Sequence, residues 1–206
     1  MQNNTHNEPE LSPQQSLQLI HSMIETTKNT FSNQSHYFLL WGWATMIGCL
    51  LQFYLKVIAG TQQYYLAWLI TPVAFAIHFT FIYRDVKNRR RVRTFIDQAN
   101  TYLWTAIALG YLSLSFVFIK IGWQYCFPFH IAIYGIGTYV TGSLIKFKPM
   151  IIGALICFPL VVIAVNVSYD AQILIAALAI FISYILPGHI LRYRYKKQII
   201  PSYLLL

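Results

Sequence analysis

Carboxylates are the scarcest functional groups in this chain. Only six Asp and Glu occur among 206 residues, and Glu8, Glu10, Glu25, Asp85, Asp97 and Asp170 all lie in polar tails, in loops or at the edges of apolar runs. This argues against ion-coupled transport of the kind that uses buried carboxylates as proton or sodium sites. It also removes the general base of the H-E-x-x-H metalloprotease motif. Cysteine is scarce as well. Cys49, Cys126 and Cys157 form no C-x-x-C pair, which excludes a disulfide framework and a thiolate metal site. Ser113 and Ser115 have no G-x-S-x-G around them and no acid to orient a base, so serine catalysis has no support. Their hydroxyls are expected to bond neighbouring helix carbonyls instead. Charged residues make up 10% of the chain, against about 25% in an ordinary soluble domain.

Apolar surface fills the place of charge. Hydrophobic residues are 57% and aromatic residues 17% of the sequence, more than a chain this short can hide in a globular core. Six apolar stretches follow one another at about 37–58, 65–83, 102–121, 126–145, 150–167 and 171–187. Each approaches the ~20 residues that a helix needs to cross ~30 Å of hydrocarbon. Lipid leaves backbone polar groups unsatisfied unless the segment bonds itself, so helices are the expected form. The fold class is therefore all-α: a polytopic membrane protein with six transmembrane helices in three antiparallel hairpins, spanning 37–187. Short connections at 59–64, 122–125 and 168–170 close the hairpins, and Gly122 is a natural helix stop.

Before the first span, residues 1–11 read as a disordered tail. Residues 12–35 read as an amphipathic cytoplasmic or interfacial helix. Ser12 suits the N-cap, Pro13 the first turn, and Gln15 the capping-box position. Leu17, Ile20, Ile24 and Phe31 recur on one face. No apolar stretch precedes residue 37, so Tyr37–Ile58 is expected to act as the first insertion signal.

The net charge of +9 has a topological reading. With the N-terminus inside, every Lys and Arg except Lys56 and Lys120 falls on the cytoplasmic side, including the basic tail 188–206. That is the positive-inside pattern of an inner (cytoplasmic) membrane protein with both termini in the cytoplasm. The two exceptions sit at helix ends, from which they can snorkel outward. Trp41, Trp43, Tyr83, Tyr102 and Trp104 would mark the inner interface, and Tyr64, Tyr65, Trp68, Trp123 and Tyr125 the outer one. No nucleic-acid motif accompanies the charge, so no nucleic acid is expected as a partner. The expected partners are the lipid bilayer itself, a second copy of the chain, or a cytoplasmic protein.

Few residues invite a chemical role. His78 and His130 are the histidines inside spans, but the helix rise puts them roughly 15 Å apart in depth, too far to share one ion. Hydrogen bonding inside the bundle is the bland reading, a proton relay or ligand contact the sharper one. No catalytic set, metal site or cofactor is implied. Small residues recur at four-residue spacing in Ala106/Gly110, Thr138/Gly142, Gly153/Cys157 and Ala179/Ser183, faces that let helices approach closely. Gly135 and Gly137 either join that packing or leave a gap for a ligand. Pro72 and Pro128 lie near the first turns of their helices, whereas Pro159 is mid-helix and should kink it, as structure or as hinge. The densest charge is in 84–95, where Arg84, Lys87, Arg89, Arg90, Arg91 and Arg93 are candidates for contact with anionic head groups or with a partner. Val92, Phe95 and Ile96 among them would suit a short amphipathic helix.

SLQLIHSMIETTKN (16–29) leading into YFLLWGW (37–43) resembles a family of small uncharacterised multi-pass bacterial membrane proteins. The likeness covers about residues 16–100 and implies no activity. A looser similarity is to permease subunits of ABC-2 type exporters, in which an inner-surface helix and the connection after the second span couple to a separate ATPase. Those permeases carry re-entrant helices between spans five and six, where this chain has about three residues. The expected function is that of a non-enzymatic membrane subunit or anchor acting through helix association and the basic loop. The alternative is a small transporter or permease subunit.

Overall fold

The computed structural model describes residues 12–19, 35–88 and 95–193. The helix starting at Pro13 is present as far as Leu19 and opens with the reciprocal bonds of a capping box. The Ser12 N–H donates to Gln15 Oε1 at 2.9 Å, and the Gln15 N–H donates to Ser12 Oγ at 3.2 Å. The remainder of the expected amphipathic helix, the tail 1–11, Arg89, Arg90, Arg91, Arg93 and residues 194–206 lie outside the described residues.

Six long helices follow. Helix α1 spans Ser35–Phe53 and continues as a π-turn over Tyr54–Ile58. Helix α2 (Ile70–Asn88) is led in by a 3-10 turn at Tyr64–Leu69. Helix α3 is Phe95–Ile121, α4 is Cys126–Leu144, and α5 is Lys148–Val165. Helix α6 runs from Tyr169 to Ile180, passes through a π-turn at Phe181–Ile185, and stays helical to residue 193.

Five segments are long and apolar enough to cross a membrane: Ser35–Ile58, Tyr64–Arg84, Phe95–Ile121, Lys148–Val165 and Tyr169–Tyr193. The protein is thus all-helical among the described residues, with five candidate spans. Helix α4 has the length, at 19 residues, but is not among the five; Pro128, His130, Thr138, Thr141 and Ser143 interrupt its apolar residues.

Two boundaries differ from the sequence expectation. Helix α3 begins at Phe95 rather than near 102, so Phe95 and Ile96 form its first turn instead of a separate loop helix. The sixth helix does not stop at Pro187. In an α-helix the ring of Pro187 would press on the carbonyl of Ser183. The wider π-turn, with the Leu186 N–H bonded to the Phe181 carbonyl, carries the chain past it.

The turns have local causes. Gly60 and Gly122 take positive φ (63° and 102°) after α1 and α3. Between α4 and α5 the same left-handed position is filled by Lys146, at φ 52°. The Phe147 N–H bonds the Gly142 carbonyl at 2.8 Å, and the Lys146 N–H bonds the Ser143 carbonyl at 3.2 Å. This Schellman closure satisfies the last carbonyls of α4 and turns the chain straight into α5. Ser168 caps α6 by accepting from the Ala171 N–H, and Asp170 in the first turn suits the helix dipole.

Helices α4 and α5 make the most extensive contact, and α6 packs on α1, α4 and α5. These four form the core. Helix α2 lies against α1 and helix α3 against α4, both on the outside. Of the 27 residues of α3 only Ile107 and Phe118 are buried. The outward faces carry large apolar side chains such as Leu69, Phe79, Leu112, Phe116, Ile119, Ile152, Val162 and Leu178, all exposed. A water-soluble protein of this size does not present so much contiguous apolar surface.

Candidate functional site

Polar chemistry inside the bundle gathers at two levels. At the end holding Lys56, Gln52 of α1 is only 2% exposed and fully engaged. It accepts from Trp68 Nε1 at 2.6 Å and donates to the Tyr169 hydroxyl at 3.0 Å. One side chain thereby ties α1 to the lead-in of α2 and to the start of α6. Just beyond it, Lys56 forms an ion pair with Asp170. Its ammonium lies 5.1 Å from the ring centroid of Tyr169 and 5.8 Å from that of Tyr64. Lys56 is therefore a partner within the fold, not merely a lysine reaching for water. Both members of the pair are partly exposed, so its worth is of the order of a surface pair, about 0–1 kcal/mol.

At the opposite end, holding Lys146, Thr141 is fully buried and sits between two side chains of α3. It accepts from Trp104 Nε1 at 3.1 Å and donates to Asn100 Oδ1 at 2.8 Å. Trp104 also meets Tyr184 edge-on at 5.8 Å, and Tyr184 meets Tyr134 at 5.3 Å. Tyr134 reaches Thr45 of α1 at 3.3 Å. Composition and spacing alone did not single out Gln52, Thr141 or this tyrosine group. The one signal for them was that they are polar and inside apolar runs.

The two histidines are in different places. His78 of α2 accepts at Nδ1 from Trp41 Nε1 of α1, at 3.2 Å, and meets Tyr37 edge-on at 5.1 Å. His130 of α4 bonds through Nδ1 to the Cys126 carbonyl and stacks on Tyr111 of α3 at 4.7 Å. Each is hydrogen-bonded within the bundle. Among the described residues no group of three or more His, Cys, Asp or Glu could hold a metal ion. The thiols of Cys49, Cys126 and Cys157 are buried and unbonded to one another. Ser113 and Ser115 donate to the carbonyls of Leu109 and Tyr111, both at 2.9 Å, the back-bonding usual for hydroxyls in helices.

The glycines sort sharply. A methyl group on Gly153 would stand 2.7 Å from the Ile182 carbonyl oxygen and 2.9 Å from Ser183 Cα. In the i→i+5 register of the π-turn, Ile182 faces Pro187, which has no N–H. Gly153 packs against that same carbonyl. At Gly142 the methyl would come within 3.1 Å of the Ile151 backbone nitrogen. Gly135 is filled by Cys157, and Gly137 by Ile107 and Trp104 of α3, so the space at neither glycine is a gap. Gly110 is the exception among the glycines inside helices, since nothing lies within 4 Å of its added methyl. The Ala106/Gly110 face expected to pack is open. Helix α5 runs continuously through Pro159. Of the basic candidates, Arg84 and Lys87 are exposed at the end of α2.

Comparison with known proteins finds no matching family model, no matching curated protein and no matching solved structure.

Proposed function

We propose that the chain is a six-span protein of the cell inner membrane with cytoplasmic termini, acting as a non-enzymatic subunit or anchor through helix association. The observation that carries this reading is the open face of α3. Ala106 and Ser113 are exposed on it and Gly110 meets nothing, whereas the glycines of the core are all packed. Small residues allow close backbone approach between helices in lipid, where there is no hydrophobic drive to associate. A face of this kind turned away from its own bundle suits a second helix, from another copy or another protein.

Helix α4 crosses with the other five in this reading. It has few lipid contacts to satisfy, being flanked by α3, α5 and α6, so its lower apolarity is tolerable. The end of the bundle holding Lys146, Lys148, Arg84, Lys87 and Arg192 faces the cytoplasm, by the positive-inside asymmetry. There the stretch 84–93 contacts anionic head groups or a cytoplasmic partner. The permease alternative would line a path with the Pro159 kink, Gly135 and Gly137, and His78 and His130; side chains fill the space at both glycines.

Purification in mild detergent tests the reading. A stoichiometric partner or a homo-oligomer is expected, and cysteines placed at positions 106 and 113 should cross-link it. A lone monomer that forms no cross-link in native membranes would overturn the proposal.

A further inference from the structure

Helix α2 is fastened to α1 by two indole hydrogen bonds, and they differ in kind. At its start Trp68 Nε1 donates to the Gln52 amide oxygen, which does not titrate. At its middle Trp41 Nε1 donates to Nδ1 of His78, which does. An indole N–H can only donate, and a ring nitrogen can accept only while it carries no proton. The bond therefore requires neutral His78, with its hydrogen on Nε2. Once protonated, both imidazole nitrogens are donors, and two N–H groups would point at each other.

We propose that the Trp41–His78 bond is an acid-sensitive latch that holds the second half of α2, up to Lys87, against α1. The surroundings of His78 favour this. From α1 the titratable groups facing it are Tyr37, edge-on at 5.1 Å, and His36, which packs on Phe81 of α2 at 4.8 Å. A proton on His78 would stand in that aromatic contact between α1 and α2 with no carboxylate on either helix face described beside it. On α2 itself the nearest described basic groups are Arg84 and Lys87, farther along the helix. Arg84 stands six residues after His78 on the same helix, so loosening at one displaces the other. Among the described residues, α1 is the one long helix with which α2 makes an extensive contact.

The latch rests on the proposed topology only in taking the end of α2 at Arg84 and Lys87 to be cytoplasmic. Its test does not need a partner. Deuterium exchange of the full chain in lipid nanodiscs, corrected for intrinsic chemistry, would be followed at about pH 8 and about pH 4, the second well below ordinary imidazole titration. Protection of the α2 amides from Phe79 to Lys87 should fall about tenfold in acid, the scale of one lost hydrogen bond. Amides near Trp68 and throughout α5 should not change. His78→Asn keeps an acceptor near the Nδ1 position without a titrating group, and should hold protection at both values. Trp41→Phe should lower it at both. Unchanged protection in the native chain, or an acid step that survives in His78→Asn, would overturn the latch. Absence of any oligomer or partner would instead count against the association reading and leave the exchange result standing.

Discussion

The core helices and the outer helices are held by different means. Between α4, α5 and α6 the backbones come close enough for contact, because Gly142 and Gly153 leave no side chain in the way. The outer helices have no such contact of their own. Helix α2 is fastened by Trp41 to His78 and by Trp68 to Gln52. Helix α3 is fastened by Trp104 to Thr141 and by the Tyr111 hydroxyl to the His130 carbonyl. Lipid is as apolar as the side chains it surrounds, so burial of apolar surface cannot drive either arrangement. Dispersion between closely packed backbones does so in the core, and directed hydrogen bonds do so at the rim. The first is tolerant of polar chemistry and intolerant of volume; the second is the reverse.

Substitutions that exchange those sensitivities should show the contrast, and the largest effect is expected at Gly153. An added methyl would meet a backbone carbonyl at 2.7 Å, which no rotamer can relieve. Gly153→Ala should cost about 3 kcal/mol, the upper part of the usual overpacking range, and Gly153→Leu should abolish the assembled fold. Unfolding in mixed micelles followed by circular dichroism would measure it. A Gly153→Ala protein as stable as the native chain would mean that the close approach of α5 to the π-turn is not what holds the core.

Next comes a rim bond. Gln52→Leu preserves volume but leaves the Trp68 N–H and the Tyr169 hydroxyl without this partner. Tyr169 keeps its bond with Cys126, and the orphaned, part-buried Trp68 N–H costs about 1–3 kcal/mol, although water near the end of the bundle can recover part of this. The expected result is destabilisation by about 2 kcal/mol, with exchange increased at Tyr64–Leu69 and little changed in α5. Uniform loosening of the whole bundle would show instead that the rim and the core are one cooperative unit.

A smaller effect, of opposite sign, is expected at the turn joining the two closest core helices. Lys146 occupies the left-handed conformation that glycine takes without strain. Lys146→Gly should stabilise by about 1 kcal/mol, provided the side chain makes no contribution through lipid head groups. The same unfolding assay checks the sign, and a loss of stability in lipid but not in detergent would reveal such a head-group contact.

What could be read beforehand follows the same division. The all-helical character, five of the six apolar runs, the cap at Ser12 and the stop at Gly122 depend on neighbours in sequence, and the structure has them near where the reading placed them. The partners of Trp41, Trp68 and Trp104 depend on which helix lies alongside, and nothing local announces that. All three were expected in the interfacial belts, yet each donates into the bundle, while Tyr83, Tyr102 and Trp123 remain exposed. The sixth apolar stretch reads to about Pro187, whereas the helix runs on to residue 193, past that proline. The π-turn that accommodates it is built by packing against Gly153, a contact far away in sequence. Small-residue spacing was read the same way in four helices, although it defines a face without saying what the face meets.

Gly110 is where that ambiguity can be resolved, and there the expected effect on the isolated chain is the smallest. Its added methyl meets nothing, and alanine favours a helix by up to about 1 kcal/mol over glycine. Gly110→Ala should leave the fold intact or slightly firmer, in contrast to Gly153→Ala one face of the same motif away. If the open face receives a second helix, Gly110→Leu should still fold as a monomer but lose its oligomer or partner, read by cross-linking in native membranes. If Gly110→Leu associates as the native chain does, the contact lies elsewhere on the surface, and the spacing at Ala106 and Gly110 reflects only a helix facing lipid.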